Sequence, residues 1–141
     1  LTDDEIAEIE GRYGITLPDV HTHSPVDLSG PFLDEEQWVE QQRTTLRAAG
    51  VEELAIRDDG CYLDDYREAF GDDGDYRWHT ERIRGAIQIE DLGCAMTMWA
   101  IIVGPCAGEI RFRDEGTHVP FEPVLDVSGS PKTIRTWLNG H

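Results

Sequence analysis

Lysine is nearly missing from this chain. Lys132 is the only one in 141 residues, and 12 Lys and Arg face 29 Asp and Glu, a formal net charge of −17. A field of that sign repels nucleic acid and anionic lipid and draws in basic partners. Long apolar runs are missing too: nothing approaches the roughly 18 consecutive apolar residues of a spanning helix, so no membrane partner is expected. Cysteine is scarce and odd in number. Cys61, Cys94 and Cys106 show no C-x-x-C spacing, which points to buried free thiols in a reducing cytoplasm rather than a disulfide framework. The G-x-G-x-x-G and G-x-x-x-x-G-K-[ST] phosphate cradles and the G-x-S-x-G elbow are all absent. The opening segment is acidic and helix-like, and no signal peptide is read in it.

What is present suffices for one domain, residues 1–141. Four Trp, four Tyr and four Phe can fill a core without staples. The clearest pattern runs from Gly85 to Asp114. Ile87 and Ile89 alternate with Gln88 and Glu90, Met96 to Val103 is almost continuously apolar, and Ile110 and Phe112 alternate with outward Glu109, Arg111 and Arg113. Alternation marks a half-buried strand and an unbroken apolar run marks one covered on both faces. The connectors, Asp91-Leu92-Gly93 and Gly104 to Gly108, are too short for crossover helices, so the three form an antiparallel meander with the apolar strand central.

Helices flank it. Thr2-Asp3-Asp4-Glu5 is a capping box opening a helix over residues 3–13, with Ile6, Ile9 and Tyr13 on one face and Gly14 closing it. Asp34 with Gln37 opens a second, with Trp38, Val39, Gln42, Leu46 and Ala49 inward and Gly50 at its end. Val51 to Ile56 reads as a short strand. Asp64 or Asp65 caps a short helix through Phe70, with Tyr62, Tyr66 and Phe70 spaced by four. Gly71 to Asp75 reads as a solvated loop, and Tyr76-Arg77-Trp78-His79 as an edge strand. Pro120 and Pro123 confine residues 117–124 to an edge or an extended loop. Ser130-Pro131 caps a final helix that buries Ile134, Trp137 and Leu138. The sum is α+β: helices at the N-terminus, in the middle and at the C-terminus, packed on a central antiparallel sheet.

Chemistry-bearing patterns are few. His21-Thr22-His23 resembles the paired imidazole ligands of amidohydrolase-type barrels, in which i, i+2 spacing places both rings on one strand face. Such a barrel takes about 250 residues. No set of later ligands follows, since only Lys132, His79, His118 and His141 remain. A small metal hydrolase using His21 and His23 is therefore the remote alternative; no metal, cofactor or catalytic activity is expected. Cys94 and Cys106 lack an elbow or a following helix N-terminus, and structural cysteines are the expectation.

Two stretches are similar to the SUKH superfamily, the Smi/Knr-type domain. Leu1 to Pro18 resembles its opening, a capped helix followed by G-(I/V)-x-L-P. Gly85 to Arg113 resembles its core hairpins, with the Gly93-Cys94 step, a Trp-bearing apolar strand, and Val103, Gly104, Pro105 and Gly108 of V-x-G-P-x-x-G. Thr136-Trp137-Leu138 resembles its closing helix. Residues 19–25 depart from the aromatic-bearing helix that usually follows, and His21 to Arg84 match nothing in the pattern. The resemblance implies an α+β fold with an antiparallel or mixed sheet and a non-catalytic role. Many bacterial members are immunity proteins that bind and neutralise toxin domains, often ones acting on nucleic acid; others regulate cell-wall assembly.

Charge distribution supplies a surface for such a role. Residues 1–75 carry 21 acids and 5 arginines, and Glu52 to Asp75 alone holds ten acids against Arg57 and Arg67. Basic clefts are what acidic surfaces fit, through steered association and loop shape. The expected partner surface comprises Asp58, Asp59, Asp64, Asp65, Asp72, Asp73, Glu90 and Asp91, with Tyr62, Tyr66 and Tyr76 as aromatic anchors. The competing reading of the same charge is solubility or adaptation to high salt.

Overall fold

The computed structural model describes residues 2–14, 16–17, 26–52, 61–114 and 121–139, with side chains through Trp137. The expected strand at Val51 to Ile56 falls mostly outside them. The architecture is α+β. Helices α1 (Asp3–Tyr13), α2 (Glu35–Ala48), α3 (Leu63–Phe70) and α4 (Gly74–Arg82) precede strands β1 (Ala86–Gly93), β2 (Met96–Ile101), β3 (Ile110–Asp114) and β4 (Glu122–Pro123), and α5 (Ile134–Asn139) closes the chain. The strands form one antiparallel sheet in the order β1-β2-β3-β4. No helix among the described residues is long and apolar enough to cross a membrane.

The two capping boxes form as their sequences require. Thr2 Oγ1 accepts the Glu5 amide at 3.1 Å while the Glu5 carboxylate accepts that of Thr2, and Gly14 ends α1 at φ 64°. Asp34 and Gln37 exchange the same pair of bonds at the head of α2. The final helix is capped differently from expectation. Thr133 Oγ1, not Ser130, accepts the Thr136 amide at 3.1 Å, and Pro131 instead forms a bridge with Leu125.

Both sheet faces are covered, which explains why β2 is apolar throughout. One face buries Ile87, Ile89, Met98, Ala100 and Ile110 against Ile9 of α1, Leu17 and Ile134 of α5. The other buries Ala86, Trp99 and Ile101 against Phe32, Ile83 and Phe121. Trp99 meets Phe121 edge-on, 5.7 Å between centroids, and its Nε1 donates to Thr97 Oγ1 at 2.8 Å. That second cover corrects the expectation of an outward Arg113. Arg113 is buried, its guanidinium 5.1 Å from the Phe121 ring, which stacks Arg82 at 4.8 Å as well. Burial pulls the Arg82 guanidinium down to about 10, with the Glu35 carboxylate at 3.2 Å opposing the shift.

A third core belongs to the helices. Trp38 and Leu46 of α2, Tyr62, Leu63 and Tyr66 around α3, and Trp78 of α4 close on one another. Here two further expectations are corrected. Residues 71–75 are not a loop but a 3₁₀ turn, Gly71–Asp73, running into α4. Tyr76-Arg77-Trp78-His79 is helical rather than an edge strand, because Trp78 must reach the core of the helical unit.

The β1–β2 hairpin carries visible strain. Gly93 pairs with Met96, so Cys94 and Ala95 form a two-residue loop, with φ 53° and 65°. That loop type asks for Asn-Gly, and L side chains there are unfavourable. The double substitution Cys94→Asn with Ala95→Gly is expected to stabilise the domain by about 1–2 kcal/mol. A raised urea midpoint at unchanged slope would show this; an unchanged midpoint would show that the tip already relaxes in solution.

Candidate partner surface

Helices α3 and α4 pack on one another, joined by the three-residue 3₁₀ turn. They approach closely because position 74 is glycine: a Cβ there would lie 2.5 Å from the Tyr66 carbonyl oxygen and 2.8 Å from the Arg67 Cα. Gln42 of α2 fixes the pair from below. Its Oε1 accepts the Tyr62 amide at 2.9 Å and the Trp78 indole N–H at 2.8 Å, all inside the buried helical core. One side-chain oxygen thus ties the start of α3 to the middle of α4.

Tyr62 and Tyr66 are corrected by this arrangement. Both are 0% exposed, so neither can anchor a partner. Their hydroxyls are also engaged. Arg43 Nε donates to Tyr62 at 2.9 Å, and Tyr66 donates to Glu81 at 2.8 Å, while burial pushes the Tyr66 phenol well above its ordinary range. Spacing by four on one helix places residues on one face, and here that face is the core.

The acidic side chains divide. Asp64 and Asp65 occupy the first turn of α3 without capping it; Tyr62 is the N-cap residue, and no side chain bonds there. Near a helix N-terminus their charge already has a local reason. Arg67 links Asp64, at 3.2 Å, to Asp75 across the helix pair, and this hydrogen bond holds the Asp75 carboxyl below its usual range. Asp72 and Asp73 differ. They lie exposed in the turn, and no cation among the described residues pairs with either. Residues 61–75 still hold six acids against Arg67 alone. Glu90 and Asp91 lie on β1. Ile89 is the extra residue of a bulge opposite Met98, yet the expected alternation holds, with Ile87 and Ile89 buried and Gln88 and Glu90 less so, and Asp91 accepts the Gly93 amide at 2.9 Å. Asp58, Asp59, His21 and His23 lie outside the described residues.

Tyr76, unlike Tyr62 and Tyr66, is exposed. On α4 it is 70% exposed, three and four residues after Asp73 and Asp72. It borders a cavity of about 200 Å³ together with Val26, Asp27, Thr80 and Ile83. Asp27 is fixed at that rim. Its carboxylate accepts the Ser29 hydroxyl at 2.5 Å and amide at 2.9 Å, and Arg84 Nε at 3.1 Å. These bonds, the Ser29 hydroxyl foremost, lower its pKa.

Two further side chains are shifted elsewhere. The Ser128 hydroxyl foremost lowers Asp126, and burial raises the Cys106 thiol. Cys94 and Cys106 are unbridged thiols as expected, but neither is buried: Cys94 is exposed at the hairpin tip and Cys106 half-buried. No family model, curated protein or solved structure matches the chain.

Proposed function

We propose that this chain is a non-catalytic protein-binding module of SUKH type, acting in the cytoplasm as an immunity protein. It would neutralise a cognate toxin domain, of the kind that acts on nucleic acid, by covering its basic surface. The observation that carries the reading is the pairing of Asp72 and Asp73, which no described cation neutralises, with a tyrosine left 70% exposed one helical turn later. Solubility explains surface carboxylates; an exposed aromatic ring one turn from them adds the kind of side chain that anchors a partner. The family reading draws support from element order: a capped helix leading to Leu17, an antiparallel meander bearing Trp99, and a last helix bearing Trp137. The non-catalytic reading draws support from carboxylates tuned to stay ionised and a thiol tuned to stay protonated, both poor general acid–base groups near pH 7.

Calorimetry against any toxin-like domain that an adjacent gene is found to encode tests the proposal. A one-to-one complex is expected, weakened about tenfold or more by Asp72→Lys with Asp73→Lys. Absence of binding would instead favour the second SUKH role, a regulatory or scaffolding domain with no toxin partner.

A further inference from the structure

Resting on that reading, we infer that the cavity beside Tyr76 is a socket for one arginine side chain of the basic partner. The walls divide by chemistry. Val26 and Ile83 line it with apolar groups for the methylene stem, and the exposed Tyr76 supplies an aromatic ring at its border, the kind of group a planar guanidinium stacks on. At about 200 Å³ the cavity has the dimensions of one long side chain rather than of a ligand the size of a nucleotide. The Thr80 hydroxyl is engaged along its own helix, donating to the Tyr76 carbonyl at 2.9 Å.

Charge selects the occupant. Asp27 already holds one guanidinium, that of Arg84, in a salt bridge whose partners are 40% and 39% exposed. The Ser29 bonds keep its carboxylate oriented whether or not Arg84 stays in place. An incoming arginine can share or displace that pair, a carboxylate having capacity for about four acceptor contacts. Asp72 and Asp73, four and three residues before Tyr76 in the chain, add to the negative field of this part of the surface. A neutral or anionic side chain would find the same apolar walls without this attraction, so specificity for a cation follows from the rim rather than from the cavity floor.

The test uses N-acetylarginine amide and its neutral isostere, N-acetylcitrulline amide, titrated into the intact protein and followed by backbone amide shifts. Saturable shifts centred on Asp27, Tyr76, Thr80 and Ile83 are expected with the arginine compound. The citrulline compound should bind about threefold more weakly or worse, as an exposed cation–π and ion-pair contribution implies. Tyr76→Phe should retain the response and Tyr76→Ala abolish it, with melting temperature unchanged in both because the ring is exposed. Equal shifts with citrulline, an undiminished response in Tyr76→Ala, or shifts scattered over the acidic helices would overturn the inference. If arginine fails here while the toxin domain still binds, the socket alone is lost. If arginine titrates while the toxin domain does not bind, the proposed function is lost and the socket stands.

Discussion

Replacing Gln42 by leucine is expected to cost about 2–6 kcal/mol of folding stability, since two buried donors each lose their acceptor at about 1–3 kcal/mol apiece. Leucine fits the space and suits a helix, so packing and propensity predict little loss. The loss comes from the Tyr62 amide and the Trp78 indole N–H, both now bonded to Gln42 Oε1 and both buried. Neither could reach water without opening the core of the helical unit. Urea unfolding of the variant measures the effect directly. A loss below about 0.5 kcal/mol, the range of an ordinary surface change, would show that these donors find other partners and that Gln42 is not the tie described.

Gly74→Ala reverses the usual sign of its kind. Alanine in place of a helical glycine commonly gains about 0.5–1 kcal/mol. Here the added methyl would press on the carbonyl carbon and oxygen of Tyr66 and on the Arg67 Cα, backbone atoms of the facing helix that cannot rotate aside. The expected result is a loss of about 1–3 kcal/mol, the usual cost of overpacking. The effect reaches the surface as well, because spreading α3 from α4 separates Arg67 from Asp75. Amide hydrogen exchange should therefore rise along α3 more than in β2. Stabilisation by this variant would mean that the helices are not held as closely as the glycine permits.

These two residues show where the sequence can be read and where it cannot. The capped starts of α1 and α2 and the three alternating or apolar strands are legible because each rests on contacts a few residues apart. The position of α4 is not. Its Tyr-Arg-Trp-His run favours strands in isolation, and Gly71 and Gly74 suggest a loop, whereas the close approach that requires Gly74 exists only once α3 is in place. Arg113 escapes a local reading for the same reason. The alternation of Ile110 and Phe112 points it outward, but Phe121, from the segment beyond β3, supplies the cover that turns that position into a buried one. Tyr62 and Tyr66 show a subtler failure. Their spacing by four is plain, yet the same spacing describes a core face and a binding face, and only the placement of Trp38 and Trp78 decides between them. Tyr76 has the weaker pattern and is the one that remains exposed.

The most direct measurement is the rate at which the protein associates with the proposed partner, a toxin-like domain found encoded by an adjacent gene, followed by stopped flow as salt is raised. Steering by an acidic surface predicts that the rate falls about tenfold or more between about 20 mM and about 500 mM salt, while dissociation changes far less. The Asp72→Lys, Asp73→Lys variant should begin slow and lose most of that dependence. An association rate indifferent to salt, or one that the double variant leaves untouched, would contradict the account.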